Sequence, residues 1–210
     1  MHQILTRCTF LCSLAFINVG QAQLYRLTSV IPKSVSALAL GPVHGEVDYR
    51  HLPCGPNLRS FTSMDTFMLD NEVCELVLSS TIRTIRRIYT YPNEHRVALA
   101  FDQLECVSRA TVLERLEIVC YGATEEVAKE CLESVAKQRE YDRNRVTLVS
   151  KTSINGKGVE DAIATLFADW IAEAYDSSRL PPPREPSTGD DEAATRKLFD
   201  DWLAVKVLRR

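Results

Sequence analysis

The sequence lacks any run of basic residues that would mark a nucleic-acid surface. Its 210 residues carry 25 Lys and Arg against 28 Asp and Glu, a formal net charge of -3. Because nucleic-acid affinity depends on clustered positive charge, this balance disfavours a DNA or RNA partner. The apolar and charged fractions, 45% and 25%, are those of an ordinary globular protein. The length suits one domain of common size with tails.

The sequence also lacks the spacings that mark a metal centre or a hydrolase. None of its seven cysteines lies in a C-x-x-C pair or at a zinc spacing with His, and its four histidines have no Ser/His/Asp or Cys/His context. We therefore predict no metal ligands. The cysteines are expected to be reduced thiols, with Cys74 and Cys120 packed as small hydrophobes in apolar, strand-like runs.

Residues 1–34 differ in kind from the rest and are predicted to be a leader or an N-terminal extension. A positive charge in MHQILTR, the apolar run CTFLCSLAFINVG and small residues near Ala22 are typical of a secretory signal. The first acidic residue is Glu46, which also fits a mitochondrial transit segment. A stretch that is not translated, or an extra helix, is the third alternative. The apolar run is too short to span a membrane.

From Val35 onward the sequence predicts alternating strands and helices. Apolar runs predict strands at 35–40, 96–101, 117–121 and 146–149, and three- and four-residue apolar spacing predicts helices at 125–139, with Thr124 as N-cap, and at 159–171. Residues 108–115 are predicted to be helical. The turn signal Asp70-Asn71-Glu72 between two β-rich runs, 61–69 and 73–78, predicts an antiparallel hairpin. The basic cluster Arg83, Arg86 and Arg87 indicates either a partner or anion surface or a solvated turn or short helix.

Residues 149–166, VSKTSINGKGVEDAIATL, resemble the last motif of Ras-like small GTPases, and within that family the chain is most similar to the Rab proteins. The predicted order of elements over residues 35–176 resembles that family as well. The resemblance implies an α/β, three-layer fold of the P-loop NTPase type, with a mostly parallel sheet and helices on both faces. Residues 177–191 are then a flexible linker, and residues 192–210 a short C-terminal helix.

The motifs that would bind nucleotide in that family are degraded. Gly41 and Gly45 have three residues between them instead of four, and Glu46 stands where the phosphate-binding Lys is needed. The metal-binding Asp and the guanine-binding Asp have no counterparts at 79–83 and 121–124. If GTP or GDP with Mg²⁺ binds, the resemblance places it nearest Gly41, Gly45, Ser150 and Lys151. No catalytic residue is predicted.

The resemblance implies a Rab-like protein deficient in GTP binding and hydrolysis. We expect it to act as a protein-interaction module in vesicle or ciliary transport, with an effector or transport complex as partner, in the cytoplasm or on endomembranes. No C-terminal cysteine offers a prenyl anchor, so no stable membrane anchor is expected. The alternatives are an active, divergent GTPase, and an α/β protein of unknown activity imported into mitochondria or secreted.

Overall fold

The computed structural model describes residues 2–42, 47–66, 68–101 and 104–174. It divides into two compact units, residues 1–168 and 169–210. The first unit contains a sheet with its helices. The described part of the second, residues 169–174, is the end of the last helix. The predicted linker and C-terminal helix, residues 177–210, lie outside the described residues, as do Gly45 and Glu46.

Six parallel strands form the sheet, and their order across it follows their order along the chain. All five neighbouring pairs are parallel. The fold is therefore α/β, and the predicted mostly parallel sheet is all-parallel in the described part of the chain. The strands are β1 (Ser13–Ile17), β2 (Ala37–Gly41), β3 (Ser60–Met64), β4 (Thr84–Tyr89), β5 (Arg115–Gly122) and β6 (Val146–Thr152).

Helical segments carry the chain from the end of one strand back to the end of the sheet at which the next strand begins, because parallel neighbours require such a crossover. Thr124 is the N-cap predicted for the helix after β5, and its Oγ1 accepts a hydrogen bond from Val127 N at 3.4 Å. The helices are α1 (His2–Arg7), α2 (Gln21–Thr28), α3 (Asp70–Val77), α4 (Glu94–Ala98), α5 (Glu125–Ala136) and α6 (Gly158–Ala174). Shorter 3-10 segments are Tyr49–His51, Gly55–Asn57, Leu104–Arg109 and Ile154–Gly156.

The strands carry a recurring pattern, Leu-x-x-Leu-x-Leu, in which the last two positions lie in the strand. The strands begin 23 to 31 residues apart. The interstrand register aligns the fourth position of every repeat on the same side of the sheet. The repeats are Leu11/Leu14/Phe16, Val35/Leu38/Leu40, Leu58/Phe61/Ser63, Ile82/Ile85/Arg87, Leu113/Leu116/Ile118 and, with its first position polar, Arg143/Val146/Leu148.

The turns after the strands also recur. Asn18 follows β1 and Asp65 follows β3, and both have positive φ, 54° and 45°. Asparagine and aspartate tolerate this conformation better than other side chains. Asn18 N donates to Gly41 O at 2.7 Å and Asp65 N donates to Ile88 O at 2.8 Å, so each turn is tied to the end of the next strand. The turn after β3 thus repeats the geometry of the turn after β1.

The two faces of the sheet differ in how they are covered. The face that carries Leu38 and Leu116, called here the helix face, packs against α2, α3, α5 and the 3-10 segments Tyr49–His51 and Leu104–Arg109 in the main core. On the opposite face, α6 packs its Ala162 against a smaller cluster that includes Met64, Val119 and Tyr121. Helices therefore lie on both faces of the sheet, which is consistent with the predicted three layers.

Residues 1–34 contribute to this core. The apolar run that indicates a leader forms β1, the edge strand beside β2. Phe16 and Leu24 are buried, with 2% and 1% of their surface exposed. The domain boundary predicted at residue 35 falls between β1 and β2. Among the helices that the structure describes, none has the length and apolar character needed to cross a bilayer.

The predicted hairpin is wrong. Its first half forms β3, but residues 70–77 form α3 instead of a second strand. The glutamate of the expected turn, Glu72, is buried and fixes the start of this helix. Its Oε2 accepts from Leu69 N at 2.7 Å and its Oε1 from Val47 N at 2.6 Å. A helix also places Val73, Leu76 and Val77 on one buried face.

Three further element predictions need correction. Residues 96–101 are predicted to form a strand, but residues 96–98 are the second half of α4, where the side chain of Asn93 caps the helix by accepting from Arg96 N at 3.1 Å. Residues 104–109 form a short 3-10 segment where 108–115 was expected to be helical. The solvated turn or short helix, one of the two alternatives for Arg83, Arg86 and Arg87, is wrong, because Thr84–Tyr89 forms β4 and its isoleucines pack into the cores on the two faces of the sheet.

Candidate functional site

The first candidate site is a cleft at the carboxyl ends of β5 and β6. Glu125 begins α5 on the helix face, whereas α6 begins after β6 and packs on the opposite face. Ligands of open α/β sheets commonly bind where adjacent strands send their helices to opposite faces. The cleft encloses about 420 Å³. We call it the strand-end cleft, lined by Tyr121, Glu125, Ser150, Lys151, Asp161 and Thr165.

Two predicted nucleotide-site residues, Ser150 and Lys151, lie in this cleft. The sheet register sets them beside Cys120 and Tyr121 of β5. Ser150 Oγ donates to Glu125 Oε1 at 3.2 Å. The structure thus brings the predicted serine and lysine together with the carboxylate of Glu125, which lies 25 positions before Ser150 in the chain.

Most hydrogen-bond donors in the cleft already have an acceptor within the chain. Asp161 Oδ2 accepts from Ile154 N at 2.7 Å and from Ser153 Oγ at 3.3 Å. Thr165 Oγ1 lies 3.0 Å from the Tyr121 hydroxyl and donates to the backbone oxygen of Asp161 at 2.9 Å. A phosphate group would meet the carboxylates of Glu125 and Asp161 against the single charge of Lys151. These two carboxylates make the cleft electrostatically poor for a nucleotide.

Gly41, the third predicted site residue, is remote from this cleft. It ends β2, and β3, β4 and β5 lie between β2 and β6. At the usual strand spacing the separation is about 19 Å. A methyl group on Gly41 would lie 2.5 Å from Met64 O, so glycine is required here by close packing of β2 on β3. Gly45, the fourth, lies outside the described residues.

A second candidate site is a charged network on the opposite face. Glu117 on β5 is buried, with 6% of its surface exposed, and is held between two arginines. Arg86 Nε donates to Glu117 Oε2 at 2.6 Å, and an Arg115 guanidinium nitrogen lies 2.6 Å from Glu117 Oε1. Strand alternation puts Arg86 here and turns Arg87 into the core, which divides the basic cluster predicted from the sequence.

Further arginines line the amino-terminal edge of the sheet. Arg83 is paired with Glu114 at 2.8 Å, and the exposed Arg59 is its backbone neighbour across β3 and β4. Three of the four arginines are paired with Glu114 or Glu117, whereas the Arg59 guanidinium donates to backbone oxygens such as Thr81 O at 3.4 Å, so arginines outnumber glutamates at this edge although the chain is acidic overall. We call the set the arginine edge: Arg59, Arg83, Arg86 and Arg115.

The described residues contain no group of three or more His, Cys, Asp or Glu side chains placed to hold a metal ion. Comparison of the chain with protein-family models, with curated proteins and with solved structures found no match. The interpretation of both candidate sites therefore rests on their geometry.

Proposed function

We propose that this chain is a solenoid of the leucine-rich-repeat type that works as a protein-interaction module. The observation that supports this most is the agreement between strand order and chain order, with one Leu-x-x-Leu-x-Leu pattern per strand. Leucine-rich repeats have this pattern over about 20 to 29 residues and form one strand and one helical segment each. The first four strands are 23 or 24 residues apart, and the later, longer repeats accommodate α4 and α5.

Stacked repeats build a broad continuous surface instead of a pocket, and repeat proteins bind their partners along that surface. Here the amino-terminal half of the opposite face has this character. Ala39 and Thr62 are buried there, with 2% and 6% of their surface exposed, so the side chains that a partner can reach are exposed ones such as Arg115 and Thr147. A small molecule needs a concave site that surrounds it, whereas a flat surface suits a protein.

The arginine edge indicates an acidic segment as the partner. The side chains of Arg83 and Arg115 are 59% and 55% exposed although each has a glutamate partner. Arginine can bind carboxylates through two parallel hydrogen bonds and is enriched at interfaces. Glu117 holds the guanidinium groups of Arg86 and Arg115 in place, which lowers the entropy lost when a partner binds.

This proposal keeps the interaction role expected from the sequence but does not rest on the small-GTPase resemblance. The hairpin that supported the resemblance is absent from residues 60–77, and the cleft around Ser150 and Lys151 is acidic. GTP or GDP with Mg²⁺ therefore has no part in the proposed function. A role in vesicle or ciliary transport, with a cytoplasmic or endomembrane location, stays a prediction.

Site-specific photo-crosslinking in the full chain tests the proposal. A light-activated amino acid is placed at Thr147, exposed on the opposite face, or at Glu130, exposed on α5. We expect a discrete crosslinked protein from position 147, joined through an acidic segment, and a much weaker product from position 130.

Charge reversal separates this interaction from non-specific capture. Arg83→Glu combined with Arg115→Glu should abolish the product from position 147, and raised salt should weaken it, since exposed charge pairs are screened. Arg26→Glu is the matched control, because Arg26 is exposed on α2, on the helix face. Equal crosslinking from both positions, or a product that survives the double reversal in a folded variant, would contradict the proposal.

A further inference from the structure

An apolar row crosses the opposite face of the sheet near the carboxyl ends of the strands. Its three central members, Met64, Ile88 and Val119, are buried, with 1%, 3% and 4% of their surface exposed. Another element must therefore cover them. The row takes one residue from each strand at the same level of the sheet: Ile17, Gly41, Met64, Ile88, Val119 and Val149.

The part of α6 that belongs to the first unit packs on this apolar row. Val159, Ala162 and Ile163 lie in one cluster with the row and with Tyr121. Their spacing of three and four residues places them on one stripe of the helix. Thr165 Oγ1 lies 3.0 Å from the Tyr121 hydroxyl, which adds one side-chain hydrogen bond. α6 thus shows which chemistry fits the row, namely short apolar side chains at helical spacing.

The contact of α6 with the row is smaller than the contact of α5 with the main core. Of the three stripe residues only Ala162 is fully buried, whereas Val159 and Ile163 are partly exposed. α5 buries four side chains, among them Leu132 and Val135. Because stabilisation grows with the apolar area removed from water, α6 should separate from the sheet at a lower free energy than α5.

Gly158 and Thr90 fix the place where α6 begins. A methyl group on Gly158 would overlap the backbone oxygen of Thr90, so the backbone of α6 lies directly against the residue that follows β4. Thr90 is itself held by Asp65, whose Oδ1 accepts from Thr90 N at 3.1 Å. A side chain at position 158 must therefore lift the start of α6 away from the sheet.

We propose that α6 is a displaceable lid and that the protein partner docks an amphipathic helix on the apolar row in its place. The inference rests on the proposed function, because the row and the arginine edge share one face. Arg86 and Glu117 lie two residues before Ile88 and Val119 on the same strands. Two residues along a strand span about 7 Å. One partner segment can therefore place acidic residues on the arginines and apolar residues on the row, as helices do in apolar grooves.

A peptide with the sequence of α6 serves as the probe, so the test does not require the partner. The fluorescent peptide Gly158–Ala174 is titrated with the full chain, and binding is followed by anisotropy. We expect the Gly158→Ala chain to bind it at least about tenfold more tightly than the unmodified chain, since a closed lid leaves few chains open. Gly20→Ala is the matched control, because a methyl group there has nothing within 4 Å, and it should bind like the unmodified chain. Equal affinity of the two variants would overturn the proposal.

Two variants of the peptide test the stripe that faces the row. Ala162→Glu places a carboxylate at the fully buried position and should abolish binding to the Gly158→Ala chain. Ala164→Glu changes an exposed position of the same helix and should leave binding unchanged. If both peptides bind, or if neither does, the peptide is not held by this stripe and the proposal is refuted.

Hydrogen exchange tests the lid in the unmodified chain, so the result does not depend on whether Gly158→Ala folds. The amides of α6 should exchange faster than those of α5, and equal protection of the two helices would contradict a displaceable lid. The photo-crosslink from Thr147 separates this inference from the proposed function. A crosslinked protein whose yield is the same in Gly158→Ala and Gly20→Ala would refute the lid alone. Peptide binding as expected, with no crosslinked protein, would support the lid and contradict the proposed function.

Discussion

Gly41→Ala tests the placement of β2 beside β3, on which the repeat architecture depends. The added methyl group would lie 2.5 Å from Met64 O and 2.6 Å from Met64 Cβ, where ordinary contacts begin at 3.4 Å. The obstacle is backbone, so β3 would have to move by about 0.9 Å. Overpacking of this kind costs about 1 to 3 kcal/mol, and the reduced entropy of the unfolded chain returns less than about 1 kcal/mol. We expect a net loss of about 2 kcal/mol.

Urea and thermal unfolding of the full chain measure this loss, which corresponds to a decrease of about 4 to 8 °C in the melting temperature at this chain length. Gly55→Ala is the matched control, because a methyl group there meets only ordinary contacts at 3.8 and 3.9 Å. Its free energy of unfolding should change by less than about 0.5 kcal/mol. If Gly41→Ala is as stable as the unmodified chain, Gly41 does not lie against Met64 and the described order of β2 and β3 is refuted.

Three other predictions follow from the same structure. Glu117→Gln should lower the free energy of unfolding by about 2 kcal/mol, because it leaves Arg86 and Arg115 without their shared carboxylate. Burial raises the pKa of the Cys54, Cys106 and Cys120 thiols from 9.0 to about 11, 12 and 12. The unfolded chain therefore loses these protons first, and stability should fall between pH 9 and 12 by up to about 1.4 kcal/mol per pH unit per thiol. Calorimetry with millimolar GTP or GDP and Mg²⁺ should show no saturable heat, since the strand-end cleft is acidic.

Each of these predictions has a contradicting outcome. Glu114→Gln, which alters the exposed pair with Arg83, should cost no more than about 1 kcal/mol, and an equal loss in both variants would show that Glu117 has no special role. If urea unfolding under reducing conditions gives the same free energy of unfolding at pH 8 and at pH 10.5, the raised pKa of the buried thiols is contradicted. Micromolar, guanine-specific binding would restore the GTPase hypothesis.

Local sequence signals are sufficient to predict the last two strands and the last two helices. β5, β6, α5 and α6 were predicted because apolar period, capping and turn residues agree within each segment. Thr124 shows this, since an N-cap residue immediately precedes an apolar stripe. The packed face of α6 was predicted less well. Ala162 lies at its centre with 0% exposure, whereas Phe167, which fits the apolar spacing that predicts this helix, is 39% exposed.

The sequence predicts strands where α3 and α4 form, because short apolar runs fit a strand and a buried helix equally well. What decides between them is partly non-local. Glu72 fixes α3 by accepting from Val47 N, 25 positions earlier in the chain. Such a contact cannot be predicted from the segment 70–77 alone.

The strand order was also missed, although the sequence contains a signal for it. The Leu-x-x-Leu-x-Leu pattern recurs at intervals of 23 or 24 residues through the first four strands, and a fixed period of this length is the sequence signal of a repeat fold. Polar residues at the last position, Ser63 and Arg87, weaken the pattern in the third and fourth repeats. The sequence alone does not show the arrangement of either candidate site. Folding brings Glu125 and Asp161 into one cleft with Ser150, and it places Arg86 and Arg115 against Glu117.

The neighbours of β2 test the central claim most directly, because they separate a repeat solenoid from the sheet expected of a small GTPase. Nuclear Overhauser contacts between backbone and methyl protons of the labelled chain can identify them. The account predicts contacts from Leu38 and Ala39 to Leu14 and Ala15 of β1 on one side, and to Phe61 and Thr62 of β3 on the other. Contacts from Leu38 to β4 or β5, with none to β1, would contradict sequential stacking and the interaction surface proposed from it.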